Sequence, residues 1–199
     1  EGVDICGDVM LDSVLHFLKL AQSMPEKTAI FGKLGIAPKN YRLATIHRAE
    51  TTDGGLNAIA EIFSAFEKLP QKVIIPIHPR TRGLAEEALS KYGFKNITLI
   101  PPVGYLEMLL LTKNALQVLT DSGGLQKEAW FMEVPCVTLR HETEWVETLR
   151  GNWNVLSSLD RDDIYCKAMN TAVDKSARDK MPFGDGNASG RIASVLKLY

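Results

Sequence analysis

The sequence has little charge of one sign, few cysteines and no long hydrophobic run. Its 199 residues include 23 Lys and Arg against 24 Asp and Glu, which gives a formal net charge of −1. Such a balance offers no electrostatic footprint for nucleic acid or for an anionic membrane surface. The apolar runs are far shorter than a bilayer span, which argues against a membrane-crossing helix. We therefore expect neither a nucleic-acid partner nor a membrane partner.

The chain has three cysteines, an odd number, and they lack metal-ligand spacing. This pattern suits reduced thiols, so we expect a cytoplasmic protein. No H-E-x-x-H motif occurs and no cysteine accompanies the histidines, so neither a metal nor another cofactor is expected. The G-x-x-x-x-G-K-[ST] phosphate loop is also missing, which argues against an ATPase.

Apolar runs rich in β-branched residues alternate with amphipathic segments along the chain, and 45% of the residues are hydrophobic. Strands are predicted at Tyr41–Ile46, Lys72–Ile77, Ile97–Ile100, Ala115–Thr120, Cys136–Leu139 and Asn154–Leu156. Helices are predicted at Leu11–Gln22, Gly55–Lys68, Thr81–Tyr92, Tyr105–Lys113, Leu125–Met132, Glu144–Arg150, Arg161–Lys175 and Ala188–Leu198. Alternation with short connections predicts one α/β domain, a Rossmann-like, doubly wound parallel sheet covered on both faces.

Polar or glycine-rich segments follow five successive predicted strands. They are HRAE at 47–50, HPR at 78–80, PPVG at 101–104, DSGG at 121–124 and RHETE at 140–144. In doubly wound sheets, ligands bind outside the carboxyl ends of the strands. A purely structural rim does not need five such ends, so these segments predict a binding site.

The segment DSGG joins a predicted strand to a predicted helix. Its glycines, Gly123 and Gly124, let a ligand approach the backbone, and free N–H groups at a helix start attract phosphate. The Ser122 hydroxyl can donate to a phosphate oxygen, although by itself the segment is most simply a capping turn. One helical turn later, Glu128 can accept hydrogen bonds from two vicinal hydroxyls. Phosphate together with a diol indicates a nucleotide or a nucleotide sugar.

Two histidines end neighbouring predicted strands, where an imidazole can face a diphosphate. A lone histidine at a strand end is more often structural, but the pair His47 and His78 favours a ligand. His16, inside the first helix, is interpreted as structural, and His141 lies in a loop whose role stays open.

Together these segments resemble the non-hydrolysing UDP-N-acetylglucosamine 2-epimerase family. The matching stretches keep the family's order from end to end: GDVMLD, ATIHRAET, IPIHPRT, LTDSGGLQKEAWFMEVPCVTLR, ETEWVE and FGDGNASGRI. The family has the two-domain GT-B fold, and this chain resembles its C-terminal half. The resemblance implies a UDP-binding domain over residues 1–180 and a closing helix over 181–199. That helix would pack toward an N-terminal domain of the same polypeptide, which is expected to lie outside this sequence.

The family interconverts UDP-GlcNAc and UDP-ManNAc by eliminating and re-adding UDP, and full-length members imply a homodimer. Carried onto this sequence, Ser122, Gly123 and Gly124 would hold the diphosphate, and Glu128 the ribose hydroxyls. His47 would be the catalytic residue that faces the leaving pyrophosphate. The family's proton-transfer carboxylates lie in the N-terminal domain.

The resemblance also assigns residues around this centre. The stretch from Val103 through Tyr105 to Met108 would seat the uracil. Three further residues match positions near the diphosphate or, in some bacterial members, near a second, regulatory UDP-GlcNAc: Arg48, Glu50 and His78.

Two departures from the family pattern leave alternatives open. Lys127 stands where many members have a second acid, and Trp145 stands where the UDP-GlcNAc-specific branch has an arginine. The form ETEWVE resembles relatives that act on UDP-2,3-diacetamido uronic acids, although Trp145 could also serve packing alone. The departures therefore leave open a 2-epimerase of a modified UDP-sugar. Two further alternatives are a GT-B glycosyltransferase domain, against which the pair HRAE and DSGGLQKE argues, and a non-catalytic nucleotide-binding module.

Overall fold

A computed structural model describes residues 3–178 and 182–197, and within them six strands form one parallel sheet between two layers of helices. The strands are β1 Tyr41–Thr45, β2 Lys72–Pro76, β3 Ile97–Ile100, β4 Gln117–Thr120, β5 Cys136–Thr138 and β6 Asn154–Leu156. The longer helices are α1 Val9–Gln22, α5 Gly55–Glu67, α6 Pro79–Tyr92, α7 Tyr105–Asn114, α8 Gly123–Phe131, α9 Arg161–Asn170 and α10 Ala188–Leu196. The shorter ones are α2 Pro25–Thr28, α3 Ile30–Leu34, α4 Ala49–Thr52 and two 3-10 helices at Val146–Asn152 and Lys175–Arg178.

The strand order is β3-β2-β1-β4-β5-β6, and every neighbouring pair is parallel. The chain runs outward from β1 to β3 and then restarts beside β1 with β4. This order confirms the predicted doubly wound sheet and creates a switch point between β1 and β4. Ligands of such sheets bind at that point, outside the carboxyl ends of the strands.

Two hydrophobic clusters hold the sheet, one on each face. Leu43 and Val118 belong to the cluster beneath α1, α7 and α8, whereas Ala44 and Leu119 belong to the cluster beneath α5, α6 and α9. Successive strand residues point to opposite faces, so strands buried on both sides need apolar residues at nearly every position. This requirement explains why the strands appear in the sequence as continuous apolar runs.

Four helices, α1, α6, α8 and α9, begin at a residue whose side chain caps them. The Asp8 carboxylate accepts the Met10 N–H at 2.8 Å and so starts α1. Asp160 accepts the N–H groups of Asp162 and Asp163 and so starts α9. Each carboxylate satisfies N–H groups that lack a partner inside the helix. These local contacts fix where the helices leave the sheet.

The structure differs from the sequence prediction in several short elements. The sequence prediction omitted α2, α3 and α4, although Pro25 opens α2 and Gly35, with a φ of 61°, ends α3. The helix predicted for residues 144–150 was wrong, because that region forms the 3-10 helix Val146–Asn152, interrupted by non-helical dihedrals at Arg150 and Gly151. Helix α9 stops at Asn170 instead of continuing to residue 175. The strands keep their predicted places, with ends shifted by two residues or fewer.

The last described helix, α10, contacts α1 of the same domain. The Asp12 carboxylate accepts the Ala188 N–H at 3.0 Å and the Ser189 N–H at 2.8 Å, which caps α10 from α1. Packing of α10 toward an N-terminal domain stays a prediction. The predicted boundary between residues 180 and 181, and the predicted helix end at residue 198, lie outside the described residues. Within the described ranges, no helix has both the length and the apolarity that crossing a bilayer requires.

Candidate functional site

A cavity of about 310 Å³ opens at the switch point between β1 and β4. It is lined by Thr45, Ile46, His47, His78, Met108, Ser122, Gly124, Leu125 and Glu128. Six of the eleven residues that the sequence analysis singled out are in this lining: His47, His78, Met108, Ser122, Gly124 and Glu128. The strand ends and the start of α8 thus bring together His47 and Glu128, which lie 81 positions apart in the sequence.

Asp121 organises the floor of this site, although the sequence analysis gave it no role. Its side chain is fully buried, and Oδ2 accepts the backbone N–H groups of His47 and Arg48, each at 2.9 Å. The other oxygen, Oδ1, lies 3.2 Å from Nδ1 of His47. One carboxylate therefore joins the end of β1 to the end of β4 and holds the His47 ring. The only sequence signal for it was an acid at a strand end directly before the glycine turn.

This pairing sets the charges of both residues. Burial by itself would raise the pKa of Asp121, but hydrogen bonds from His47 and from the Arg48 N–H bring it below its usual range. The hydrogen bond with Asp121 raises the pKa of His47, against burial and the nearby cations Arg48 and Arg80. Because Nδ1 faces Asp121, Nε2 is the nitrogen left for a ligand. The cavity thus contains an imidazole with an increased tendency to be positive.

His78 adds a second imidazole at the same edge. It is the N-cap of α6, and its Nδ1 accepts the Arg80 N–H at 3.2 Å. A neutral imidazole that accepts at Nδ1 carries its hydrogen at Nε2, so His78 is a donor there. The centroids of the His47 and His78 rings are 5.8 Å apart. Two donors close together suit an anion with several oxygens, such as a diphosphate.

The start of α8 is open for an anion. Ser122 is its N-cap, but its hydroxyl accepts the Leu125 N–H at a long distance of 3.5 Å. The N–H groups of Gly123 and Gly124 make no hydrogen bond with any other described residue. A Cβ at Gly124 would meet only the Met10 side chain, at 3.8 Å. Unpaired N–H groups and the positive end of the helix dipole favour a phosphate at this place.

Glu128 lies one turn into α8 and faces the same cavity. Burial raises its pKa to about 7, and a hydrogen bond with the Tyr105 hydroxyl opposes that rise. Burial, and then the Glu128 charge, raise the pKa of Tyr105 to about 12, so the phenol stays a donor. A half-buried carboxylate with one phenolic donor gains from the two hydroxyls of a diol, because each adds a charge-assisted hydrogen bond. This arrangement fits a ribose.

Five of the predicted residues are not in the cavity lining: Arg48, Glu50, Val103, Tyr105 and Gly123. Val103 packs against the hydrophobic cluster beside α7. Glu50 is exposed, with its carboxylate 3.4 Å from Nε of the buried Arg140. Arg48 and Gly123 lie close together at the start of α8, where a Cβ at Gly123 would be 3.7 Å from an Arg48 guanidinium nitrogen.

The described part of the chain contains no group of three or more His, Cys, Asp or Glu side chains that could hold a metal ion. The polar side chains at the switch point are instead paired with one another or face the cavity. Anion and diol recognition is the chemistry that these residues support.

Comparisons with known proteins identify the family of the chain. Residues 1–197 match the family described as UDP-N-acetylglucosamine 2-epimerase. The chain belongs to this family. It is 45% identical over 202 residues to a UDP-N-acetylglucosamine 2-epimerase homolog of Methanococcus maripaludis, covering 99% of this chain and 55% of that protein. It is 43% identical over 195 residues to the UDP-2,3-diacetamido-2,3-dideoxy-D-glucuronate 2-epimerase of Pseudomonas aeruginosa, covering 96% and 51%.

A solved structure of the 2-epimerase family has the same fold. The crystal structure of Methanocaldococcus jannaschii UDP-GlcNAc 2-epimerase in complex with UDP-GlcNAc and UDP superposes with a TM-score of 0.80 at 34% identity. The match covers 98% of this chain and 55% of that one. The chain thus spans about half the length of the 2-epimerases that it matches.

Proposed function

We propose that this chain is the UDP-binding half of a UDP-sugar 2-epimerase that interconverts UDP-GlcNAc and UDP-ManNAc. The observation that carries the proposal is the Asp121–His47 pair beside the open start of α8, with Glu128 one turn further on. Membership of the 2-epimerase family supports it. In this reaction UDP leaves C1 while C2 loses its proton, and both add back with the opposite configuration at C2.

Expulsion of UDP needs stabilisation of the charge that develops on the leaving diphosphate. The N–H groups of Gly123 and Gly124, the Ser122 hydroxyl and the His47 imidazole act as donors to that charge. Such preorganised donors are worth most in a site from which water is excluded. His47 is the catalytic residue in this proposal, because Asp121 favours its positive form and His78 adds a neighbouring donor.

The nucleoside extends from the diphosphate along α8. Glu128 accepts from the ribose hydroxyls, and Met108 lies beyond it in the same cavity. The uracil occupies the start of α7, between Val103 and Met108, in the order that the family implies.

Removal of the C2 proton needs a positioned base. In this proposal Asp121 is committed to His47, and Glu128 is committed to the ribose. The base is therefore supplied by an N-terminal domain of the same polypeptide, a proposal supported by the half-length match to the relatives. For the whole polypeptide we propose a cytoplasmic homodimer, and the three free cysteines fit a reducing compartment.

A UDP-sugar with further acyl or carboxylate groups is the second candidate substrate. The observation that favours it is the 43% identity to a UDP-2,3-diacetamido-2,3-dideoxy-D-glucuronate 2-epimerase. The test measures kcat/KM of the whole enzyme for that sugar nucleotide and for UDP-GlcNAc. The substrate with the higher kcat/KM is the preferred one.

UDP calorimetry on the chain tests the nucleotide site. We expect Glu128→Ala to weaken UDP binding by about 1.5–3 kcal/mol, the range for hydrogen bonds to a charged group. Glu87→Ala is the matched control, because Glu87 is an exposed helical glutamate of α6 outside the cavity. UDP affinity that is equal in both variants would assign Glu128 a structural role.

A further inference from the structure

Lys127 is a buried cation that the proposed chemistry does not use. It lies on α8, and its ammonium pairs with the Asp8 carboxylate at the start of α1. The same ammonium is 3.9 Å from the centroid of the Trp145 ring and 5.3 Å from that of Phe183. A buried ammonium needs such partners, since an unpaired charge is costly away from water. Lys127 therefore fixes the Trp145 indole relative to α8.

The backbone of Trp145 is also fixed to α8. The Trp145 N–H donates to Thr143 Oγ1 at 3.0 Å, and the Thr143 hydroxyl donates to Gln126 of α8 at 2.6 Å. On its other side the Trp145 carbonyl accepts the Thr148 hydroxyl at 2.6 Å. Ring and backbone are thus both held, so the direction of the indole N–H is defined by the fold.

That N–H lies beside the start of α8. A Cβ at Gly123 would be 3.4 Å from Trp145 Nε1, 3.5 Å from Glu144 Oε2 and 3.7 Å from an Arg48 guanidinium nitrogen. Within the described residues, the indole N–H makes no hydrogen bond. Gly123 is not among the residues that line the cavity, and neither are its three neighbours Trp145, Glu144 and Arg48. A diphosphate at this helix start would therefore have its second substituent, the sugar, close to Trp145.

The charges around Gly123 favour an acceptor group on the ligand. Glu144 is already held by both oxygens, each 3.0 Å from the Arg140 guanidinium, and more loosely by Arg48 at 3.8 Å. Its own backbone N–H and Arg140 lower the pKa of Glu144, so it stays an anion committed to arginine. The groups left for a ligand are the indole N–H and the Arg48 guanidinium, and both are donors.

We propose that Trp145 is a specificity-determining residue, whose indole N–H donates to a carbonyl or carboxylate oxygen on a substituent of the sugar. Lys127 is the positioning residue that holds the indole in place. The inference rests on the proposed function, because it requires the diphosphate at the start of α8. Lys127 and Trp145 are in direct contact, so the two residues act as one unit in this inference.

The first test compares binding of UDP, UDP-GlcNAc and UDP-glucose to the whole polypeptide by calorimetry. Trp145→Phe keeps an aromatic face for Lys127 but removes the N–H. We expect its UDP-GlcNAc affinity to fall about fivefold, the ratio that loss of one neutral hydrogen bond gives. Affinities for UDP and for UDP-glucose, which lacks the acetamido group, should stay unchanged. Trp153→Phe, which alters a buried core tryptophan, is the matched control and should leave the affinity ratios unchanged.

The second test removes the cation without leaving an unpaired charge. The double variant Asp8→Asn/Lys127→Met keeps a side chain that can cap α1 and should still bind UDP. We expect it to lower the preference for UDP-GlcNAc over UDP toward that of Trp145→Phe. The tryptophan emission should also move to longer wavelength, because the freed Trp145 indole becomes more exposed.

Several outcomes would contradict the proposed role of Trp145. They can be distinguished from failure of the proposed function, because UDP binding would remain. Equal losses for all three ligands in Trp145→Phe, or no loss for any, would make Trp145 a packing residue while UDP binding stands. An equal loss for UDP-glucose and UDP-GlcNAc would show that the N–H does not contact the acyl group. A wild-type protein that does not bind UDP would overturn both proposals together.

Discussion

At the scale of single residues, two carboxylates of one site have pKa values shifted in opposite directions. Asp121 is fully buried but is surrounded by donors, so its pKa lies below the usual range. Glu128 is less buried but has one phenolic donor, and burial raises its pKa to about 7. The number of hydrogen-bond donors, and not the depth of burial, decides the direction of the pKa shift. Asp121 is thus an anion at neutral pH, whereas Glu128 titrates near neutral pH and can accept further hydrogen bonds from a ligand.

The first prediction concerns the contact between the Asp121 carboxylate and the His47 imidazole. Asp121→Asn keeps the size of the side chain but removes its charge, so the pKa of the His47 imidazole should fall. In the whole enzyme, we expect kcat to fall by at least ~100-fold, a typical contribution of a positioned catalytic group. Histidine NMR titration measures the pKa, and steady-state kinetics measures kcat. An unchanged His47 titration would contradict the arrangement.

The second prediction concerns stability against pH. The folded pKa of Glu128, about 7, is above its usual value of 4.5, so this group favours folding below pH 4.5. That contribution is lost as pH rises toward 7, because the folded state must then ionise a buried carboxyl. Glu128→Gln has no such loss, so its melting temperature relative to wild type should be higher at pH 8 than at pH 5. A difference independent of pH would contradict the raised pKa.

The residues of the candidate site could be predicted from the sequence where local signals exist. His47, His78 and the turn Ser122–Gly124 directly follow apolar runs, so the positions of the strands were enough to find them. The function of Asp121 depends instead on contact with His47, which is 74 residues away in the sequence. That contact exists because β1 pairs with β4, and strand order is not encoded in any local pattern.

At the scale of elements, long buried strands were predictable and short surface helices were not. Each strand has adjacent apolar residues at its centre or end, although β1, β4 and β6 also contain the buried polar residues Arg42, Gln117 and Asn154. Helix α4 has four residues, fewer than the span over which helical periodicity can be recognised. The 3-10 helix Val146–Asn152 follows Trp145, whose position is fixed by tertiary contacts with Lys127 and Thr143. Local propensity could not anticipate those contacts.

The third prediction contrasts two helix caps. Asp160 caps α9 with two bonds of 2.9 and 3.1 Å, whereas Ser122 caps α8 with one long bond of 3.5 Å. We expect Asp160→Ala to lower the free energy of unfolding by about 1 kcal/mol and to leave UDP binding intact. Ser122→Ala should change stability less but weaken UDP binding roughly tenfold, through loss of a hydrogen bond to a charged phosphate.

Chemical denaturation and UDP calorimetry on both variants measure these two effects. Ser122→Ala that destabilises the fold as much as Asp160→Ala, with unchanged UDP affinity, would show that Ser122 is only a cap.

At the scale of the whole molecule, the chemistry is concentrated at one edge of a sheet that two hydrophobic clusters hold together. The proposed nucleotide site uses residues that this chain supplies entirely by itself. The proposed base for C2 comes from elsewhere in the polypeptide, since the proposal assigns Asp121 to His47 and Glu128 to the ribose. Binding and turnover should therefore separate when the chain is tested alone.

The last prediction tests that separation with UDP-GlcNAc in deuterated water. We expect the 199-residue chain to bind UDP but to leave C2 unlabelled, because it lacks the base. The whole polypeptide should incorporate deuterium at C2 without any acceptor, which a glycosyltransferase would not do. In the whole polypeptide, His47→Asn should lower the rate of incorporation by at least ~100-fold, because a donor to the departing diphosphate acts mainly in the transition state. Labelling of C2 by the chain alone would place the base within these residues. It would contradict the proposal that this chain binds UDP while the base lies elsewhere in the polypeptide.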